Sequence, residues 1–133
     1  AGSGLVERIV EQVSGRPAAV LLHAGVKDLF ARRSVQLAGL TDVEVIAGQP
    51  GAGDEPGFAQ SPVLFKTTGE AVLADRAVLE IECFGPAGVI VEYTSPEQAM
   101  ALAEVIDGCL AATVHGAVWR SKFEGIGSQR KSI

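Results

Sequence analysis

Hydrophobic and polar positions recur along this chain with two different periods, and the changes of period mark out short elements. In GLVERIVEQVSG, Leu5, Val6, Ile9, Val10 and Val13 fall at helical spacing, while Glu7, Arg8, Glu11 and Gln12 take the other face. Ser3 is the expected N-cap and Gly15 the stop, and Pro17 bars the helix from continuing. After the short apolar piece AAVLLHAG, the stretch VKDLFARRSVQLAG predicts a second helix ending at Gly39. Val26, Leu29, Phe30 and Leu37 line its inner face, and Lys27, Arg32 and Arg33 are expected in water. VEVIAG alternates with period two and predicts a strand over 43–48.

Residues 48–62, GQPGAGDEPGFAQSP, hold Gly and Pro at a density that predicts a solvated loop. SPVLFKTT predicts a strand and GEAVLAD a short helix. VLEIECF alternates again and predicts another strand, with Leu79, Ile81 and Cys83 on one face and Glu80, Glu82 and Phe84 on the other. Gly85-Pro86 breaks it, and GVIVEY follows as an apolar strand of the buried kind. TSPEQAMALAEVIDG carries the clearest local signal: Ser95 as N-cap, Pro96 at the first helical position and Gln98 completing a capping box. Ala99, Leu102, Ala103 and Ile106 are its expected buried face and Gly108 its C-cap; LAATVHG predicts a last strand. Strand, helix and strand from Val89 to His115 make a βαβ unit with a right-handed crossover. The predicted class is α/β, a mostly parallel open sheet with flanking helices.

Composition supports a folded domain. The 133 residues are 47% hydrophobic and 20% charged, which excludes disorder, and with 5% aromatics the core falls to Ala, Val, Leu and Ile. The net charge of −5 argues against nucleic acid, whose phosphates need a basic surface. The charge is uneven: residues 1–119 are acidic, whereas 120–133 hold Arg120, Lys122, Arg130 and Lys131 against Glu124. Two cysteines without a CxxC spacing indicate neither a disulfide framework nor a metal site and fit a reducing cytoplasm. No apolar run approaches a membrane span, and AGSGLVERIV lacks a signal peptide's basic start and apolar core.

Few residues carry candidate chemistry. The glycine-rich loop lacks the lysine of a phosphate-binding P-loop, and Pro56 stands where a dinucleotide fingerprint needs its third glycine. His23 and His115 lack ligand-spaced partners and are expected at strand ends, bonded to backbone. Cys83 and Cys109 read as small core residues, with no adjacent group to activate a thiol. Glu82 is the more informative residue. It shares a face with Phe84 at the expected carboxyl end of a strand, where open α/β sheets bind ligands. A carboxylate there can accept hydrogen bonds from vicinal ribose hydroxyls, and an aromatic ring can cover a planar heterocycle.

Glu82 to Pro86, E-C-F-G-P, resembles the E-x-F-G-P motif of the aldehyde dehydrogenase superfamily. SPVLFKT, VLADRAV, EIECFGPAGVIVEYTSPEQAMALAEVIDG and LAATVHG are similar, in order, to segments of that family's catalytic domain, nearest the semialdehyde and fatty aldehyde branch that includes α-ketoglutaric semialdehyde dehydrogenases. The resemblance implies an NAD(P)-dependent oxidation of an aldehyde to a carboxylate in the cytoplasm by a homo-oligomer. It implies that Glu82 holds the ribose beside the nicotinamide of NAD or NADP and that Phe84 lies near the nicotinamide ring. Cys83 takes the variable position between them and is not the nucleophile.

The family's nucleophilic cysteine, general-base glutamate, oxyanion asparagine and dinucleotide-binding domain find no counterpart here and would lie upstream of Ala1. No catalytic residue is therefore assigned, and the chain alone is expected to be inactive. The resemblance stops after Gly116. The expected organisation is a partial catalytic domain over 1–116 and a divergent basic tail over 117–133, an internal piece of a longer enzyme. The alternatives are an interaction module derived from the family, or one subunit of a split enzyme.

Overall fold

The structure is a computed structural model that describes residues 3–106 and residue 113. In chain order its elements are α1 (Ser3–Ser14), β1 (Ala19–Val20), α2 (Ala24–Ala38), β2 (Glu44–Ala47), β3 (Ala59–Gln60), β4 (Val63–Thr68), α3 (Gly69–Ala74), α4 (Ala77–Glu80), β5 (Ala87–Glu92) and α5 (Pro96–Val105). The mixed helix and strand content agrees with the α/β class. The expected strand 110–116, apart from Thr113, and the C-cap Gly108 lie outside the described residues.

The sheet is mixed, where the pattern predicts a mostly parallel one. Its order is β2-β4-β5, with β2 antiparallel to β4 and β4 parallel to β5. The connections explain the difference. Between β4 and β5 the chain crosses over through α3 and α4, as a parallel pair requires. Between β2 and β4 the loop 48–62 turns the chain back on itself, starting at Gly48 with φ +73°. A Cβ at Gly48 would strike the carbonyl oxygen of Pro62, so only glycine lets the two ends of the loop meet. Inside the loop, β3 pairs antiparallel with β1 as a separate two-stranded ribbon.

The core lies on one face of the three-stranded sheet. Val63 and Phe65 of β4 meet Phe30 and Leu37 of α2, Val72 of α3 and Leu102 of α5, all buried. Phe30 and Phe65 are fully enclosed, so two of only five phenylalanines centre a core otherwise built from aliphatic residues. The alternate β4 residues, Leu64, Lys66 and Thr68, point the other way. On that side Lys66 lies between Glu44 of β2 and Glu92 of β5, at 3.5 and 3.9 Å.

Several local expectations need revision. Helix α1 forms as its period requires, but Ser3 lies inside it, Leu5 is exposed, and Val6, Ile9, Val10 and Val13 are only half-buried. On α5, Leu102 is buried but Ala103 and Ile106 are exposed. Strand β5 is half-exposed throughout instead of buried, because β4 is its one described strand neighbour. The α5 cap does form: the Gln98 N–H donates to Ser95 Oγ at 3.1 Å. The Gln98 side chain reaches one residue further back than a capping box predicts, accepting from the Thr94 N–H at 2.8 Å.

Candidate functional site

The stretch that carries Glu82 and Phe84 is not a strand. Ala77–Glu80 close a helical turn, α4, which begins where the Ala77 N–H donates to Asp75 Oδ1 at 3.0 Å. Residues 81–84 then run without ladder partners. No described strand lies alongside to pair with them: the three-stranded sheet is β2, β4 and β5 alone. The alternation of faces holds only over 81–84: Leu79, expected inward, is exposed on α4, and Val78 is buried instead. Ile81 and Cys83 turn inward against the core, while Glu82 and Phe84 face solvent.

The pair also lies at the other end of the sheet from the one expected. The Val63 N–H donates to the Pro86 carbonyl at 2.9 Å, and β5 starts at Ala87 paired with Val63. Glu82 and Phe84 therefore precede the amino ends of β4 and β5, whereas the carboxyl ends lie at Thr68 and Glu92. Both side chains stand on the surface rather than in a cleft, Phe84 with 65% of its area exposed.

Gly85 fixes this presentation. Its φ of +151° is a conformation L side chains rarely adopt, and a Cβ there would fall 2.5 Å from Cδ2 of Phe30. Close approach of the Gly85 backbone to the ring of α2 holds the segment down, so that Cys83 faces the helix and its neighbours face out. The Cys83 thiol lies 3.8 Å from the Phe30 carbonyl oxygen. Burial pushes its pKa up, and the Arg33 charge opposes this only in part. A thiol so placed carries little thiolate at neutral pH and makes a poor nucleophile. Cys109 and His115 lie outside the described residues. His23 is the N-cap of α2 instead of a strand-end residue, exposed and without a side-chain cap hydrogen bond.

A second polar cluster organises the glycine-rich loop, which is latched to α2 and is not a free connection. Lys27, expected in water, donates from Nζ to the carbonyls of Glu55 at 2.9 Å and Gly57 at 3.2 Å. Ser34, fully buried on α2, accepts from the Gly51 N–H at 2.9 Å. Inside the loop Glu55 Oε1 accepts from the Ser61 N–H at 3.1 Å and from its hydroxyl. The Ser61 hydroxyl, then the Glu55 backbone N–H, hold the Glu55 carboxyl below its usual range. Gln60 is buried beneath the loop. The one signal for these roles was Ser34, a polar residue set among the inner-face positions of α2; Lys27 and Gln60 gave none.

Among the described residues no His, Cys, Asp and Glu side chains group as metal ligands, and no helix is long and apolar enough to cross a membrane. No family model matches this chain, and no curated protein matches it.

Proposed function

We propose that this chain is part of the catalytic domain of an NAD(P)-dependent aldehyde dehydrogenase, which oxidises an aldehyde or semialdehyde to the carboxylate, and that these 133 residues alone do not catalyse the reaction. The observation that carries this reading is the division of roles within Glu82–Pro86. Glu82 and Phe84 face outward together, Cys83 faces inward, and Gly85 holds the arrangement by its contact with Phe30. Those two exposed side chains fit a nicotinamide ribose: the Glu82 carboxylate can accept from both vicinal hydroxyls, and the Phe84 ring can cover the nicotinamide. The cofactor, when bound, would accept the hydride. Cys83, screened by α2 and with its pKa raised, takes no part in bond making. The nucleophile belongs to sequence outside this chain, and so does the choice between NAD and NADP.

The test is the encoding DNA read in all frames on both sides. In-frame sequence upstream with a glycine-flanked cysteine and a dinucleotide-binding domain supports the reading. A start codon directly before Ala1 with a stop directly after Ile133 overturns it.

One observation favours a second reading, an interaction module that pairs with itself or a partner. Val20 and Leu22 are 81% and 84% exposed, and Phe84 adds a third large apolar side chain to the surface. Exposed apolar side chains mark an association site where they form one continuous patch. Light scattering separates the two: a monomer at all concentrations and without a partner in mixtures rejects the module.

A further inference from the structure

Between α1 and the first residues of β4 and β5 runs a groove of about 760 Å³, a size typical of small-molecule sites. Its walls are apolar. Ile9 and Val13 of α1 face Leu64 and Ala87 of the sheet across it. The charged residues among those lining it are Arg8 and Arg16, both exposed. Neither forms an ion pair with any described residue.

Three features converge on one kind of ligand. The first is sign. The lining holds two guanidinium groups and no carboxylate, which favours an anion in the groove although the chain as a whole carries −5. The second is ligand geometry, since a guanidinium presents a planar fork that matches a carboxylate. The third is separation. Arg8 lies within α1 and Arg16 two residues beyond its end, so the two side chains line different stretches of the groove. A single carboxylate satisfies one arginine and leaves the other unpaired. A molecule with a carboxylate at each end and methylenes between them satisfies both and covers the apolar walls.

We propose that this groove binds an extended α,ω-dicarboxylate, one carboxylate on Arg8 and the other on Arg16, with its alkyl chain along Ile9, Val13, Leu64 and Ala87. The site contains neither Glu82 nor Phe84 and is independent of the cofactor reading.

Titration calorimetry of the full chain with decanedioate, decanoate and 1,10-decanediol tests the assignment. Decanedioate is expected to bind most tightly, decanoate more weakly, and the diol weakest. Arg8→Gln and Arg16→Gln should each weaken decanedioate by about two- to fivefold, the scale of one exposed charge pair. In the double variant the diacid should lose its advantage over the diol. Both arginines are exposed, so the thermal unfolding of each variant should match that of the parent and separate lost binding from lost fold. Failure of decanedioate to bind, equal binding of decanoate and decanedioate, or diacid binding indifferent to both substitutions overturns the proposal. None of these results bears on the role of Glu82.

Discussion

The backbone of Gly85 rests against the ring of Phe30, so closely that a Cβ at residue 85 would lie 2.5 Å from Cδ2. Two separate costs follow for Gly85→Ala. The φ of +151° strains any L side chain by about 1–3 kcal/mol, and the overpacking against a buried ring adds about 1–3 kcal/mol. Chemical denaturation should show a loss in that combined range. Phe30→Leu paired with Gly85→Ala should recover the overpacking part and leave the backbone part, a coupling that a double-mutant cycle measures. Purely additive losses would show that the contact is not made.

Glu82 and Phe84 should contribute little to the fold. Both are exposed and neither belongs to the core cluster. Glu82→Gln and Phe84→Ala are expected to change stability by no more than about 0.5 kcal/mol, as surface changes do. Cys83→Asp, a charge turned inward beside the Phe30 carbonyl, should destabilise clearly. Equal losses at all three positions in thermal unfolding would show that 82 and 84 hold the structure and are not presented to a ligand.

The sequence disclosed faces more reliably than partners. The alternation across 79–84 survives in its second part, as inward Ile81 and Cys83 and outward Glu82 and Phe84, whereas Leu79 falls on a helical turn and is exposed. The strand it implied does not form, because period two records which way side chains point and not whether another strand lies alongside to pair. Sheet direction was hidden for a related reason. It depends on whether residues 48–62 reverse the chain or carry it across, which is decided by contacts such as Gly48 against Pro62. The Lys27 clamp was illegible because a lysine on a helix's outer face looks solvated until a loop arrives to use it. For the site, residue types and order were visible in E-C-F-G-P, but its position at the amino ends of β4 and β5 required the pairing of Val63 with Ala87.

The loop should loosen in acid. The Glu55 carboxyl has its pKa lowered in the folded chain, chiefly by the Ser61 hydroxyl. A depressed carboxyl stabilises the fold above its unfolded pKa, and that contribution is lost as pH falls through the lower folded value. The protection of the loop amides against hydrogen exchange, Ser61 above all, measured relative to the intrinsic rate at each pH, should therefore fall below the usual carboxylate range, about pH 4.5 and downward. Glu55→Gln should flatten that acid response. Lys27→Met removes the other latch and should quicken exchange near Gly57 at every pH tested. An acid response unchanged in Glu55→Gln would assign it to another group.

Lys66 offers the clearest electrostatic test on the exposed side of the sheet. It lies between Glu44 and Glu92 on the two flanking strands, at 3.5 and 3.9 Å, and is itself half-buried. Each pair is partly solvated, so each contributes up to about 1 kcal/mol at most. Lys66→Met should cost about that or less, because it leaves two carboxylates that remain in water. Lys66→Glu sets a like charge directly opposite Glu44 and diagonal to Glu92, and like charges directly opposed across strands are destabilising. It should cost more than Lys66→Met at low ionic strength, and added salt should narrow the difference as the charges are screened. Restoring opposite charge with Glu44→Lys in the Lys66→Glu background should recover part of the loss. If salt leaves the gap between the two variants unchanged, the loss comes from packing of the Lys66 stem and not from its charge.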